Sequence, residues 1–392
     1  DVEGEVNGLM TYDRAVLKVN EEKVRNANQA VILHGSTTCS GLHADLFKDS
    51  VNGAETALYT LKNTAGMEVC ITNYGGRIVS ILVPDKNGKM KDVVLGYDNI
   101  KDYETIPSDF GACIGRYANR IKNGKITIDG TTYTLQTNNF GHTLHGGPTG
   151  WQNKVYQAEQ VDDHTLRLTI VSEDGDNGFP GQVTAECLYT LDDENTLHIA
   201  YSATTDAPTV INMTNHSYFN LTGNGNENIL AHELWLNANK MTPVDETFMT
   251  TGEIADIAQG DAFDFYTAPK MVGKDIEADN AQLHNGKGYD HNWVLQPKET
   301  KQGLNLAATL YCAATGIQLD VLTDEPGIQV YTGNFLDGTV KGKRGEVYGL
   351  RNAICLETQK YPDTPNKPPW PSAILRPGEK YESHTDFRFS VK

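Results

Sequence analysis

Long hydrophobic runs are missing from this chain. No stretch of its 392 residues approaches the roughly 18 apolar residues that a membrane-spanning helix needs, so no membrane span is expected. Positive charge is also scarce. The 33 Lys and Arg residues stand against 51 Asp and Glu, a net charge of −18. A surface of that sign repels phosphate backbones, which argues against a nucleic-acid partner. Cysteine is thinly spread: Cys39, Cys70, Cys113, Cys187, Cys312 and Cys355 form no C-x-x-C pair. Neither a zinc site nor a disulfide framework is indicated, and buried free thiols are expected. That usage suits a reducing compartment. A cytoplasmic location is therefore expected, with export followed by signal removal as the alternative. The familiar catalytic signatures are absent too. There is no Walker A loop, G-x-S-x-G elbow, H-E-x-x-H or dinucleotide fingerprint, and the acidic text around Asp174 and Asp176 lacks the rest of an EF-hand.

What is present is β text. From about Thr56 onward, alternating runs recur at short intervals, among them E-V-C-I-T, T-L-R-L-T-I-V, T-L-H-I-A-Y-S-A and G-I-Q-L-D-V-L-T. Turn chemistry separates them: D-K-N-G-K at 85–89, D-G at 129–130 and D-D-E-N at 192–195. No long amphipathic helices alternate with the strands, which disfavours a parallel α/β sheet. The expected class is all-β, a large antiparallel β-sandwich, forming a single catalytic domain over residues 51–392. Residues 1–50 read as an N-terminal extension, irregular or partly helical, with one short helix over 20–33. The Pro-rich segment 361–371 is expected to be a stiff loop, because proline removes ladder donors.

Five polar clusters interrupt this pattern. They are G-R-Y-A-N-R-I (115–121), N-N-F-G-H-T-L-H-G-G (138–147), I-N-M-T-N-H-S-Y-F-N-L (211–221), G-K-G-Y-D-H-N-W (286–293) and I-C-L-E-T-Q (354–359). Each has an ordinary explanation when taken alone. Arg120 can be a surface ion pair, His142 and His145 can cap a turn, Asp290 can make an Asx turn, and His216 can be a satisfied core histidine. Glu357 is harder to dismiss, since it sits in an apolar strand beside Cys355 and Leu356. Together the clusters hold what a sugar site needs: Asn, Asp, Arg, Gln and His for fixed hydroxyls, and an acid and a base for proton transfer.

In this order, and joined by E-P-G-I-Q-V-Y-T-G-N-F and C-L-E-T-Q-K-Y-P-D-T-P-N, these motifs resemble the aldose 1-epimerase (galactose mutarotase) family. The resemblance runs from about Thr56 to the C-terminus. The text is similar to that of members from gut Bacteroidetes, and residues 1–50 lie outside the match. It implies a supersandwich of twisted β-sheets. It also implies that Glu357 is the general base at the C1 hydroxyl, that His216 is the general acid at the ring oxygen, and that His145 is a second histidine near that oxygen. Asn119, Arg120, Asp290 and Gln329 match the groups that bind sugar hydroxyls. The substrate implied is a free aldose such as glucose or galactose, with no cofactor required for catalysis. A bound calcium ion is an expectation without named ligands, and a monomer is expected, with a dimer as the alternative.

On this reading the asparagines of 211–221 and Ser217 fix the His216 ring, and Glu357 needs its pKa raised by an apolar setting. Three other readings compete. In a glycoside hydrolase Asp290 and Glu357 would be paired carboxylates. A non-catalytic carbohydrate-binding sandwich would need no acid and base. A hexose-6-phosphate epimerase would need a cationic pocket, for which only Arg116 and Arg120 are at hand.

Overall fold

The computed structural model describes residues 37–297 and 303–392. The helix expected over 20–33 lies outside them. Strands dominate, and the α-helices among the described residues are two six-residue segments, Ile100–Thr105 and Ala281–Gly286. The largest element is a nine-stranded antiparallel sheet. Its middle is built from Thr165–Ser172, Val183–Leu191, Thr196–Thr205, Tyr381–Val391 and Ile317–Thr323. Burial alternates residue by residue along Val183–Leu191, as it must when successive side chains point to opposite faces and one face meets the core. The anticipated turns at 85–89, 129–130 and 192–195 each join neighbouring antiparallel strands.

A five-stranded antiparallel sheet packs against this one. Three neighbouring strands of it are Asp290–Val294, Gly327–Tyr331 and Cys355–Gln359, the last at one edge. Trp293, Ile328, Val330 and Leu356 on one of its faces share a single hydrophobic cluster with Leu168, Tyr189, Ile199, Leu319 and Phe387 of the larger sheet. A four-stranded sheet, which includes Glu68–Thr72 and Arg77–Pro84, closes the same core through Val69, Ile71 and Ile81. Residues 37–56 lie along it. The backbone N–H groups of Cys39 and Ser40 donate to the Glu68 carboxylate at 2.8 and 3.1 Å, and Phe47 is buried against Tyr103. All the cysteines are free thiols, five of them buried and Cys39 exposed. The Pro-rich segment is a loop, with one short turn of 3-10 helix at Thr364–Asn366.

Candidate active site

Strand register explains why polar residues gather at one place. Asn292 pairs with Gln329 and Gln329 with Glu357, while Asp290 pairs with Tyr331 and Tyr331 with Cys355. Side chains in paired rows, and at alternate positions along each strand, share a face. The face opposite Trp293, Ile328 and Leu356 therefore carries Asp290, Asn292, Gln329, Tyr331, Glu357 and Gln359. Over this face lies the short strand Thr214–His216, itself paired with Ala112–Ile114. It delivers His216 Nε2 to 3.5 Å from Glu357 Oε1.

His145 arrives from another direction. It follows the strand Thr143–Leu144, which pairs with Arg120–Ile121. His145 and Asn119 both adopt left-handed backbone, φ 49° and 66°. The two bond reciprocally: the His145 N–H donates to the Asn119 carbonyl, and the Asn119 N–H donates to His145 Nδ1, each at 2.9 Å. The second bond fixes the neutral tautomer. With Nδ1 accepting, the proton sits on Nε2, which points towards Glu357 at 4.0 Å. The next residue, Gly146, has φ 84°, and a Cβ there would stand 2.1 Å from the Gly115 carbonyl oxygen, which accounts for a glycine at this point in L-H-G-G.

These groups line a cleft of about 230 Å³, together with Asp109, Asn119, Arg120, Asp290, Tyr218, Tyr331 and Phe335. Arg120 is anchored by its Nε–H to Asn139 Oδ1 at 2.9 Å and stacks over Phe248 at 4.9 Å. Burial pushes the Glu357 carboxyl well above the usual carboxylate range, helped by the negative charges of Asp290 and Asp109 and opposed by Arg120. Burial likewise raises Asp290, against Arg120 and Gln329. Burial lowers His216, with Asp109 pulling the other way, and it takes His145 down to about 3.

Six of the seven residues expected from sequence meet at this cleft. Gln329 does not line it. Its amide donates to Asp290 Oδ1 at 2.8 Å and accepts from Gln359 at 3.2 Å, so it holds Asp290 from behind. The expected bracing of His216 differs as well. No side chain from 211–221 hydrogen-bonds its ring. Asn215 ties the Gly111 carbonyl and the Ser217 N–H, Asn212 and Asn220 tie backbone elsewhere, and the Ser217 hydroxyl and His216 Nδ1 have no protein partner. Rings hold His216 instead: Tyr218 stacks on it at 5.1 Å and His145 meets it edge-on at 5.0 Å. Arg116 does not line the cleft. Its guanidinium is spent on Ser172, Glu173, Pro180, Gly181 and Thr209.

Asp109 was not singled out from the sequence. It stands in P-S-D-F-G, polar loop text without a signature of its own. Among the described residues, three groups bring ligand atoms within 4.8 Å of one another: Asp109, His145 and His216; His216, Cys355 and Glu357; and the exposed Asp162, Asp163 and His164. None is the all-oxygen shell calcium takes, so the calcium expectation gains no ligands from them. In the first group His145 presents an N–H rather than a lone pair, which unfits it as a metal donor.

Comparison with known proteins gives a consistent picture. The family model described as aldose 1-epimerase matches residues 57–388. Galactose mutarotase from Sus scrofa is 42% identical over 346 residues, covering 88% of this chain and 98% of that protein. Aldose 1-epimerase from Escherichia coli K12 is 39% identical over 340 residues, covering 86% and 96%. Among solved structures, an aldose epimerase homologue from C. elegans superimposes with a TM-score of 0.78 at 32% identity, covering 86% of this chain and 99% of that one. Galactose 1-epimerase from Lactobacillus acidophilus gives 0.76 at 28% identity, covering 88% and 97%.

Proposed function

Since the chain belongs to the aldose 1-epimerase family, we propose an assignment of roles by which its cleft interconverts the α and β anomers of free hexoses such as glucose and galactose. The enzyme is an isomerase, and its reaction needs no cofactor. The observation that carries the assignment is the pairing of Glu357 and His216, a carboxylate oxygen and an imidazole nitrogen 3.5 Å apart at the floor of a sugar-sized cleft.

Glu357 takes the proton from the C1 hydroxyl while His216 gives one to the ring oxygen. The C1–O5 bond breaks with its electron pair going to O5, and the C1–O1 bond becomes a carbonyl. Rotation about C1–C2 presents the other face of the aldehyde. The same two proton transfers, reversed, close the opposite anomer. The pair thus alternates between Glu⁻/HisH⁺ with the closed sugar and GluH/His⁰ with the open one. Burial favours the neutral arrangement, and the Arg120 charge beside Glu357 favours the ionic one. A reversible catalyst needs the two close in energy.

His145, kept neutral, donates its Nε2–H to sugar oxygen without competing for the proton. Arg120, Asp290 and Asn119 bind ring hydroxyls, and Gln329 aligns Asp290. A phosphorylated substrate is disfavoured because Arg116 is committed elsewhere and, among the described residues, Arg120 is the one Lys or Arg lining the cleft. Polarimetry on freshly dissolved α-glucose and α-galactose tests the function directly. Acceleration over the spontaneous rate that disappears in Glu357→Gln is expected, and full activity in that variant would refute the assignment.

A further inference from the structure

The loop between the helix Ile100–Thr105 and the strand Ala112–Ile114 carries a carboxylate into the cleft. Asp109 offers an oxygen within 4.8 Å of a nitrogen on each of His145 and His216. It also lines a neighbouring cavity of about 300 Å³ that shares Leu144 and His145 with the cleft. Its position is built rather than incidental. The buried Arg77 guanidinium makes five hydrogen bonds to Ser108 O, Ser108 Oγ, Phe110 O and Gln152 O, which clamp the backbone on both sides of Asp109. The Gly111 N–H bonds the His216 carbonyl, tying the loop to the histidine strand. Among the described residues no Lys or Arg nitrogen comes within 4 Å of the Asp109 carboxylate, so its charge is not cancelled by a contact ion pair.

We propose that Asp109 is a positioning residue that keeps a proton available to the Glu357–His216 pair above neutral pH. This rests on the reading of those two groups as the proton-transfer couple. The competent enzyme carries one proton on the couple, on His216 when the sugar is closed and on Glu357 when it is open. Gaining a second proton stops the reaction at low pH, and losing the only one stops it at high pH. The groups facing His216 are Glu357 across the cleft, His145 at its edge, Tyr218 on its face, Cys355 beside Glu357, and Asp109 and Arg77 from the loop and strand behind. Arg77 opposes a proton on His216, as burial does, and Asp109 favours it. Asp290 and Arg120 act on the Glu357 side with opposite signs. Asp109 is thus the fixed anion that offsets Arg77 and burial at the imidazole.

Asp109→Asn keeps the shape and removes the charge. Its kcat/KM profile, measured by polarimetry between about pH 5 and about pH 9, is expected to show the alkaline limb displaced to lower pH by about one unit. That is a loss of about tenfold on the alkaline side with little loss on the acid side. Asp109→Glu is expected to restore most of the limb. The imidazole resonances of His216, followed by NMR titration in parent and variant without sugar, are expected to move the same way, and this readout does not depend on turnover. Superimposable titrations and pH profiles, or a uniform loss with unmoved limbs, would overturn the proposal. An inactive parent would instead refute the functional assignment, and the NMR shift would still decide the charge effect.

Discussion

The nine-stranded and five-stranded sheets share one core yet treat their second faces differently. In the larger sheet Val183–Leu191 alternates between buried and partly wet positions, so polar side chains on the outer face keep their water. In the smaller sheet every residue of Gly327–Tyr331 and Cys355–Gln359 is buried. Its second face is closed over by Thr214–His216 and holds Asp290, Asn292, Gln329 and Glu357. Buried side-chain atoms that make no hydrogen bond within the protein gather there: Thr214 Oγ1, His216 Nδ1, Ser217 Oγ, Asn292 Nδ2, Glu357 Oε1 and Gln359 Oε1. A buried polar atom left unpaired costs about 1–3 kcal/mol. One sheet supplies stability, and the other gives some of it up to hold hydrogen-bonding groups ready for a substrate.

The sharpest break of that contrast is Glu357→Gln, expected to lower kcat/KM about a thousandfold by polarimetry. It should not lower stability. A carboxyl whose folded pKa lies above its unfolded value retains more protons folded than unfolded, so the parent loses stability as pH rises through that window. The amide cannot ionise, and at about pH 8 its unfolding temperature should equal or exceed the parent's. Next in size is Leu319→Ala on the inner face of the large sheet. It should cost about 2–5 kcal/mol in denaturant unfolding while kcat/KM of the folded fraction stays unchanged. Gln329→Leu should raise KM about tenfold with kcat little altered, because Asp290 loses its tether. Smallest of all, Val171→Thr on the half-exposed outer face should change stability by less than about 0.5 kcal/mol and activity not at all.

Period-two alternation made the strands of the large sheet readable, because burial on one face writes itself into the sequence. The strand holding Glu357 was readable for the opposite reason, as a carboxylate in text otherwise fit for burial. Six of the residues that line the cleft stand in motifs, since each motif sits on one segment. What could not be read depends on segments meeting in space. Asp109 gains its meaning from Arg77, on a strand of the four-stranded sheet, and from two histidines on two further segments. Tyr218 lay inside a quoted motif, yet its stacking on His216 needs a turn whose path the residue types leave open. The asparagines around His216 were misassigned because asparagine serves a main-chain turn as readily as a side-chain ring.

The bond from the Asn119 N–H to His145 Nδ1 makes a backbone amide into a spectator of the chemistry. A proton placed on Nδ1 would set two hydrogens against each other across 2.9 Å, so the ring stays neutral for a reason that no side-chain replacement at position 119 short of proline can remove. The exchange rate and chemical shift of that one amide then report on the imidazole next to the reacting sugar. A probe of the site is already woven into the main chain, and it needs isotope labelling rather than an added dye.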